Sequence, residues 1–297
     1  MTLSSPRTSK TRVRVWTVDG EETRQHADQL ATEEPLEIRL LAGGEQRTLA
    51  VTMRTPGADF ELAAGFLFGE GIIGGREEIR RMTYCVDPEV DAEQRYNIVN
   101  VALRNTVLPD LATLERHFMT TSACGVCGKA SLDALHLRGQ IAAPPGPEVS
   151  AALITSLPDR LRAGQGLFDV TGGLHAAGLF DCTGNLLAVR EDVGRHNALD
   201  KLIGWALLDG TLPLHEHILL VSGRVSFELV QKALAAGVPI ICAISAPSSL
   251  AVSLAAEFGM TLIGFLRGER FNIYTGPNRV RTTEAQRTRR NAEGERR

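Results

Sequence analysis

Residues 217–265 read HILLVSGRVSFELVQKALAAGVPIICAISAPSSLAVSLAAEFGMTLIGF. Three short apolar runs, His217–Ser222, Pro239–Ile244 and Thr261–Phe265, alternate with two stretches of helical spacing, Ser226–Ala236 and Ser248–Phe258. Apolar runs of that length, separated by helices, are the pattern of parallel strands covered on both faces. Toward the N-terminus, Arg195–Leu208 reads as another helix. Leu174–Phe180 and Leu186–Glu191 flank Asp181-Cys182-Thr183-Gly184-Asn185 as a hairpin. The C-terminal part is therefore expected to be an α/β domain: a mixed sheet with helices on both faces.

The N-terminal part reads differently, as a small α+β unit. Arg12–Val18 alternates as a strand. Leu36–Leu41 and Arg47–Met53 form a hairpin around Ala42-Gly43-Gly44-Glu45. Thr55-Pro56 suggests an N-cap and first helical residue for a helix from Ala58 to Glu70, burying Phe60, Leu62, Ala63, Phe66 and Leu67. Strands near Ile79–Val86 and Tyr96–Leu103 enclose an acidic loop, Asp87–Glu93, read as a solvated turn. A helix over Ser150–Ala163 follows the Pro-rich connector Ala142–Pro147. Residues 1–11 and the charged tail 282–297 are expected to be disordered. Domains are placed at 12–117 and 118–281.

With 297 residues, a net charge of −3, 43% hydrophobic and 23% charged residues, the chain has an ordinary globular composition. That balance argues against nucleic-acid binding driven by bulk charge. Five cysteines do not make a secreted disulfide framework. The N-terminus has no apolar signal core, and Pro239, Pro247 and Glu257 interrupt the most apolar region before it could span a bilayer. A cytoplasmic location is expected, without membrane or nucleic-acid partners.

Residues 120–129, TTSACGVCGK, carry the first candidate chemistry. Cys124 and Cys127 precede a run, Gly128–Leu137, read as a helix. Its N-terminal amides and Lys129 would favour a thiolate or persulfide. A structural zinc site would need a second ligand pair, which is absent, and Cys85, Cys182 and Cys242 lie in apolar runs that look buried. No metal site is expected. A thioredoxin-type dithiol is the competing reading.

Polar residues also gather where the strands end, the usual place for ligands on an open α/β sheet. Thr171, Gly173 and His175 stand before the hairpin. Asp192, Gly194, Arg195, His196 and Asn197 lead from a strand into a helix. Ser222, Gly223, Arg224 and Ser226 do the same, and Arg267-Gly268-Glu269-Arg270 follows the last core strand. Helix N-termini beside Arg195 and Arg224 suit phosphate groups. Each cluster also has a simpler use as a helix cap. None is a P-loop or a GxGxxG fingerprint, so an anionic nucleotide-like ligand is expected without ATPase or dinucleotide redox chemistry.

The run Cys124–Gly128, together with Arg190–Ala198 and Ser222-Gly223-Arg224, resembles the formate dehydrogenase accessory sulfurtransferase family (FdhD), over roughly residues 13–281. That resemblance implies a sulfur carrier. Persulfide sulfur from a cysteine desulfurase would be loaded on Cys124 or Cys127, with Cys124 favoured. It would pass to the bis-guanine-dinucleotide molybdenum cofactor before that cofactor enters formate dehydrogenase. The resemblance further implies that Phe265, Leu266, Arg267, Gly268, Glu269 and Arg270 lie at the guanine dinucleotide, that GDP is a partial mimic, and that the protein is a homodimer. It also implies a C-terminal fold similar to cytidine deaminases. Zinc deaminases require H-x-E and later cysteines. Here His175-Ala176-Ala177 and Ser222-Gly223-Arg224 stand instead, so deamination is rejected. A CxxC thiol–disulfide oxidoreductase and a non-catalytic cofactor chaperone are the alternatives.

Overall fold

A computed structural model describes residues 8–109, 143 and 145–282. Cys124, Cys127, the helix expected over Gly128–Leu137, residues 1–7 and residues 283–297 lie outside the described residues; Lys10 and Thr11, expected to be disordered, instead open the first strand, where they pair with Ala31 and Leu30. The chain divides into two compact units. Among the described residues, the first comprises 8–109, Gln165–Ala176 and Arg190–Thr211, and the second comprises 143, 145–164, Ala177–Val189 and 212–282.

The first unit opens with a long hairpin, β1 (Lys10–Asp19) and β2 (Glu22–Ala31), paired along its whole length. Next come β3 (Glu34–Ala42) and β4 (Glu45–Arg54), joined through Gly43 and Gly44 at φ 57° and 89°. Those angles are what a two-residue hairpin turn demands, so this expectation is met. β5 (Ile79–Tyr84) and β6 (Ile98–Leu103) complete a four-stranded sheet in the order β4-β3-β6-β5. Leu36, Ile38 and Leu40 alternate onto its buried face, each fully covered.

Helix α1 spans Asp59–Gly69. Thr55 and Pro56 do not start it, contrary to expectation. Gly57 and Ala58 both have positive φ (113° and 56°), which breaks the helical path before Asp59. Thr55 is used elsewhere, its hydroxyl accepting a hydrogen bond from the Val193 amide at 3.3 Å. α1 buries Leu62, Ala63 and Leu67 as expected, whereas Phe60 and Phe66 are only half-buried. It packs closely on a later helix of this unit, α4 (Arg195–Asp209). A Cβ on Gly65 would collide with the Asp200 carbonyl, and one on Gly204 with the Glu61 carbonyl. The two glycines therefore permit backbone contact that no other residue would allow.

The second unit is built on a six-stranded sheet in the order β13-β12-β11-β10-β8-β9. Its strands are β8 (His175–Phe180), β9 (Leu186–Asp192), β10 (Ile218–Val221), β11 (Ile240–Ala243), β12 (Thr261–Arg267) and β13 (Arg270–Thr275). β8 and β9 each run across the boundary between the units. β10, β11 and β12 are parallel, and β8 and β13 run antiparallel to their neighbours. Every residue of β10 and β11 is buried, so both sheet faces are covered there. α5 (Phe227–Ala235) and α6 (Ser249–Glu257) connect the parallel strands and pack together. α2 (Ala151–Gly164) buries Ile154, Leu157 and Leu161 and meets β10 and β12. The short α3 (Gly166–Thr171) belongs to the first unit. A two-residue pairing of β7 (Val149–Ser150) with β14 (Val280–Arg281) ties the ends of the second unit. The mixed α/β architecture is as expected.

Candidate functional site

In the first unit the chain turns from β9 into α4 over a buried carboxylate. Asp192 is fully buried. One of its oxygens accepts from the Gly194 amide (2.8 Å) and Asn197 Nδ2 (3.0 Å). The other accepts from the Thr55 amide (3.1 Å) and pairs with Lys201 Nζ at 2.7 Å. Lys201, itself 3% exposed, also donates to the Thr55 and Glu191 carbonyls. A buried ion pair is tolerable when the remaining lone pairs and protons are satisfied, and here they are.

This network places the residues singled out in sequence, and it separates them by job. Asn197 Nδ2 also donates to the Met53 carbonyl (2.7 Å), and its oxygen accepts from Thr52, so its amide group is engaged within the protein. Gly194 opens α4, its carbonyl accepting from the Ala198 amide. Glu191 accepts from the Leu167 and Phe168 amides and so caps α3. Thr171 bonds back to the Leu167 carbonyl (2.9 Å) within that helix, and Gly172 ends it in the left-handed conformation, leaving Gly173 exposed. Arg195, His196 and His175 are half-buried. Burial pushes the His175 pKa down, the nearby Arg195 and His196 push it further, and Asp192 opposes them. Arg195 Nε is buried and has no hydrogen-bond partner among the described residues.

In the second unit the loops after β10 and β11 and the end of β12 are knitted together by their backbones. Ile244 donates to Val221, Val225 to Ala246, Ser248 to Val225 and Phe265 to Ser245, at 2.9–3.2 Å. Ser222, Gly223, Arg224 and Ser226 lie on the first of these loops, with Gly223 buried and Arg224 exposed. Ser226 occupies the N-cap of α5 without its side chain capping, whereas Ser248 caps α6 through the Ala251 amide.

The end of β12 is irregular. Gly264 pairs with Asn272 and Arg267 with Arg270, so two residues, Phe265 and Leu266, face the single Phe271. This is a β-bulge, a device that re-aims side chains and is common beside functional sites. Phe265 takes φ 53°, rare for a bulky residue, and turns its ring outward at 41% exposure. Leu266 points inward, 1% exposed. A Cβ on Gly264 would crowd Pro247 and the Ser245 carbonyl, so the strand passes its neighbour loop closely. Gly268 and Glu269 form the tight turn into β13, with Gly268 at φ 54°. Phe265, Arg267, Arg270 and Asn272 line an open cleft of about 310 Å³. The cleft offers an exposed aromatic face, two guanidinium groups and an amide, the donors and stacking surface that a nucleotide uses.

Several residues of these sites escape sequence reading. Lys201 and Thr55 anchor the turn, and Asn272 lines the cleft. Lys201 has a usable signal, a lone cation that with Asp200 interrupts the otherwise apolar Ala198–Ile203. Asn272 has none of its own: the alternation of Arg270–Thr275 after Gly268 fits a strand, but nothing in it marks the asparagine as lining a cleft. Of the remaining cysteines, Cys85 and Cys242 are buried as expected, with burial pushing the Cys242 thiol up to about 12. Cys182 is exposed at its turn, contrary to expectation, because Asp181 folds the turn by accepting from Thr183 and Asn185 and leaves the residue between them outside. Among the described residues no three His, Cys, Asp or Glu side chains are grouped to share a metal ion, and no helix is long and apolar enough to cross a membrane.

Comparison with known proteins bears on the whole chain. Residues 31–281 match the model of the FdhD/NarQ family. The chain is 57% identical to the sulfur carrier protein FdhD of Streptomyces avermitilis, across 85% of this chain and 89% of that protein. It is 45% identical to the protein of the same name from Sulfurisphaera tokodaii, across 91% and 98%. A solved structure from Desulfotalea psychrophila, provisionally assigned as a formate dehydrogenase accessory protein, superposes with a TM-score of 0.70 at 27% identity, covering 92% of this chain and 99% of that one. A family match over most of the sequence, relatives above half identity and a shared fold agree that this chain belongs to the FdhD/NarQ family.

Proposed function

We propose that this protein is a sulfur carrier in the maturation of formate dehydrogenase, acting as a sulfurtransferase through a cysteine persulfide. Cys124 takes the sulfur and Cys127 assists. The thiolate attacks the outer sulfur of a persulfide on a cysteine desulfurase, the S–S bond of the donor breaks, and the desulfurase cysteine leaves as a thiolate. The step exchanges one persulfide for another and needs no added oxidant. The cargo passes to the bis-guanine-dinucleotide molybdenum cofactor, held as a substrate.

The observation that carries this reading is the cleft at the β12 bulge. Phe265 offers a face for a purine, and Arg267 and Arg270 offer charge-assisted donors for phosphates. In the first unit, taken by itself, Arg195 Nε has no hydrogen-bond partner among the described residues, and an anion there would satisfy it. Membership of a family whose relatives are named sulfur carriers supports the transfer chemistry.

The test uses one preparation for two readouts. After incubation with desulfurase and cysteine, mass spectrometry is expected to show a gain of about 32 Da, one sulfur, on the peptide holding Cys124 and Cys127. Calorimetry is expected to show GDP binding that weakens at least tenfold in Arg270→Ala and in Arg224→Ala. The Cys124→Ser/Cys127→Ser variant should bind GDP normally, take up no sulfur and fail to activate formate dehydrogenase. Full activation by that variant would make the protein a cofactor chaperone instead. Reduction of insulin disulfides without GDP binding would make it a dithiol oxidoreductase.

A further inference from the structure

The pairing of β1 with β2 sorts the residues of this hairpin onto two faces, because directly opposed residues share a side and successive ones alternate. One face carries Lys10, Arg12, Arg14, Trp16 and Val18 from β1, set against threonine, glutamine and alanine from β2. All five of these β1 residues are exposed, Trp16 at 66%. The other face holds Val13, Val15 and Thr17, the three residues of β1 that are partly covered. Asp19, Glu22 and Asp28, the acidic residues of the two strands, lie on that second face as well. The open face therefore bears three cations and no acid, in a chain whose net charge is −3. Among the described residues none of the three cations has an ion-pair partner.

A row of cations ending in an indole, at steps of roughly 7 Å along the strand, is complementary to an acidic surface. Arginine and tryptophan are also the side chains that most often anchor a protein–protein contact. A single-stranded nucleic acid would call for several aromatic platforms under successive bases, and this face has Trp16 alone. In the proposed function, sulfur enters from a protein, the desulfurase, and leaves onto a cofactor that this chain itself holds. Loading is thus the step that demands contact with another protein. The hairpin precedes residue 31, where the family match begins, so this surface lies outside the matched body.

We propose that the cationic face of the β1–β2 hairpin docks an acidic patch of the sulfur-donating desulfurase during loading. The proposal rests on the sulfur-carrier reading and adds to it the surface by which the donor protein is recognised. Lys10, Arg12 and Arg14 act at a distance and speed the encounter, whereas Trp16 holds the complex once it has formed.

The test compares two sulfur donors on the full-length protein. One is the desulfurase with cysteine. The other is inorganic polysulfide, which yields a sulfur to the attacking thiolate, leaves as a shorter polysulfide and has no docking surface. Uptake is read by mass on the peptide holding Cys124 and Cys127. Arg12→Glu/Arg14→Glu is expected to raise the KM for loading by the desulfurase at least tenfold, with kcat within about twofold of wild type, and to flatten its salt dependence. Trp16→Ala is expected to raise that KM about fivefold or more. Loading by polysulfide should be unchanged in both variants, because all three side chains are exposed. An unchanged KM in both variants, or an equal loss with polysulfide, would overturn the docking surface and leave the sulfur carrier standing. Wild-type protein that takes sulfur from neither donor would remove the carrier reading, and this surface with it. An oligothymidylate that binds the wild type and not Arg12→Glu/Arg14→Glu, with loading unaffected, would assign the face to a nucleic acid and overturn the proposal.

Discussion

Two strand ends of this protein carry residues that the sequence marks for ligands, and they are built in opposite ways. The turn after β9 is closed: Asp192 is fully buried and held by two backbone amides, a side-chain amide and Lys201. The bulge and turn at the end of β12 are open: Phe265 is strained and outward, and Arg267 and Arg270 line a cleft. The first arrangement fixes a backbone, while the second presents side chains. A motif residue can therefore serve the backbone, and the hydrogen bonds of Asp192 and Asn197 go to that frame.

The largest effect should come from breaking the closed turn. Lys201→Met leaves the Asp192 carboxylate buried without its cation, a change that typically costs about 3–5 kcal/mol. Urea denaturation should read that loss directly. Adding Asp192→Asn removes the stranded charge and should recover part of it, so the double variant loses less than the sum of the singles. Arg270→Ala, at the open cleft, should stay within about 0.5 kcal/mol of wild type in the same assay. Equal losses at both places would erase the distinction.

The second test sharpens the open end. At φ 53° a side chain with a Cβ is strained by roughly 1–2 kcal/mol relative to glycine. Phe265→Gly is therefore expected to be about 1 kcal/mol more stable than Phe265→Ala, the reverse of the usual order in a strand. Both variants should weaken GDP binding, because both remove the aromatic face. The usual order, with alanine the more stable, would show that the bulge relaxes once the ring is gone.

Much of this architecture is legible in the amino-acid sequence, and the legible parts share a cause. β10 and β11 are apolar throughout because both faces of the sheet are covered, and Gly43-Gly44 announces a turn that only glycine adopts easily. What escapes detection depends on tertiary context. β2 (ETRQHADQLA) has no alternating pattern because neither of its faces is buried, so its strand form comes from pairing with β1. Thr55-Pro56 carries the local marks of a helix start, but Ala58 in the left-handed region overrides them. The bulge at Phe265 has one mark, the isolated Gly264 inside the strand, which fits its close approach to Ser245 and Pro247, but nothing in the pattern announces a left-handed phenylalanine after it.

The smallest expected effect concerns acid, and it asks whether the closed turn is electrostatically continuous with His175. Burial, then Arg195, hold the folded pKa of His175 below its ordinary value of 6.5, against the pull of Asp192. The neutral ring is thus the form the fold prefers. In the unfolded chain the ring binds its proton at the ordinary value, so the unfolded state takes up protons first as pH falls. This contribution to stability is fully present above about pH 6.5 and is lost as pH drops through the folded pKa. His175→Gln should flatten the fall of the urea midpoint between neutral pH and about pH 5. Arg195→Gln should move the His175 titration upward by NMR, because it removes the largest cationic neighbour while leaving Asp192 in place. A His175 midpoint that ignores Arg195 would mean that burial alone sets it, and the arginine would then belong to the open, ligand-facing class and not to the frame.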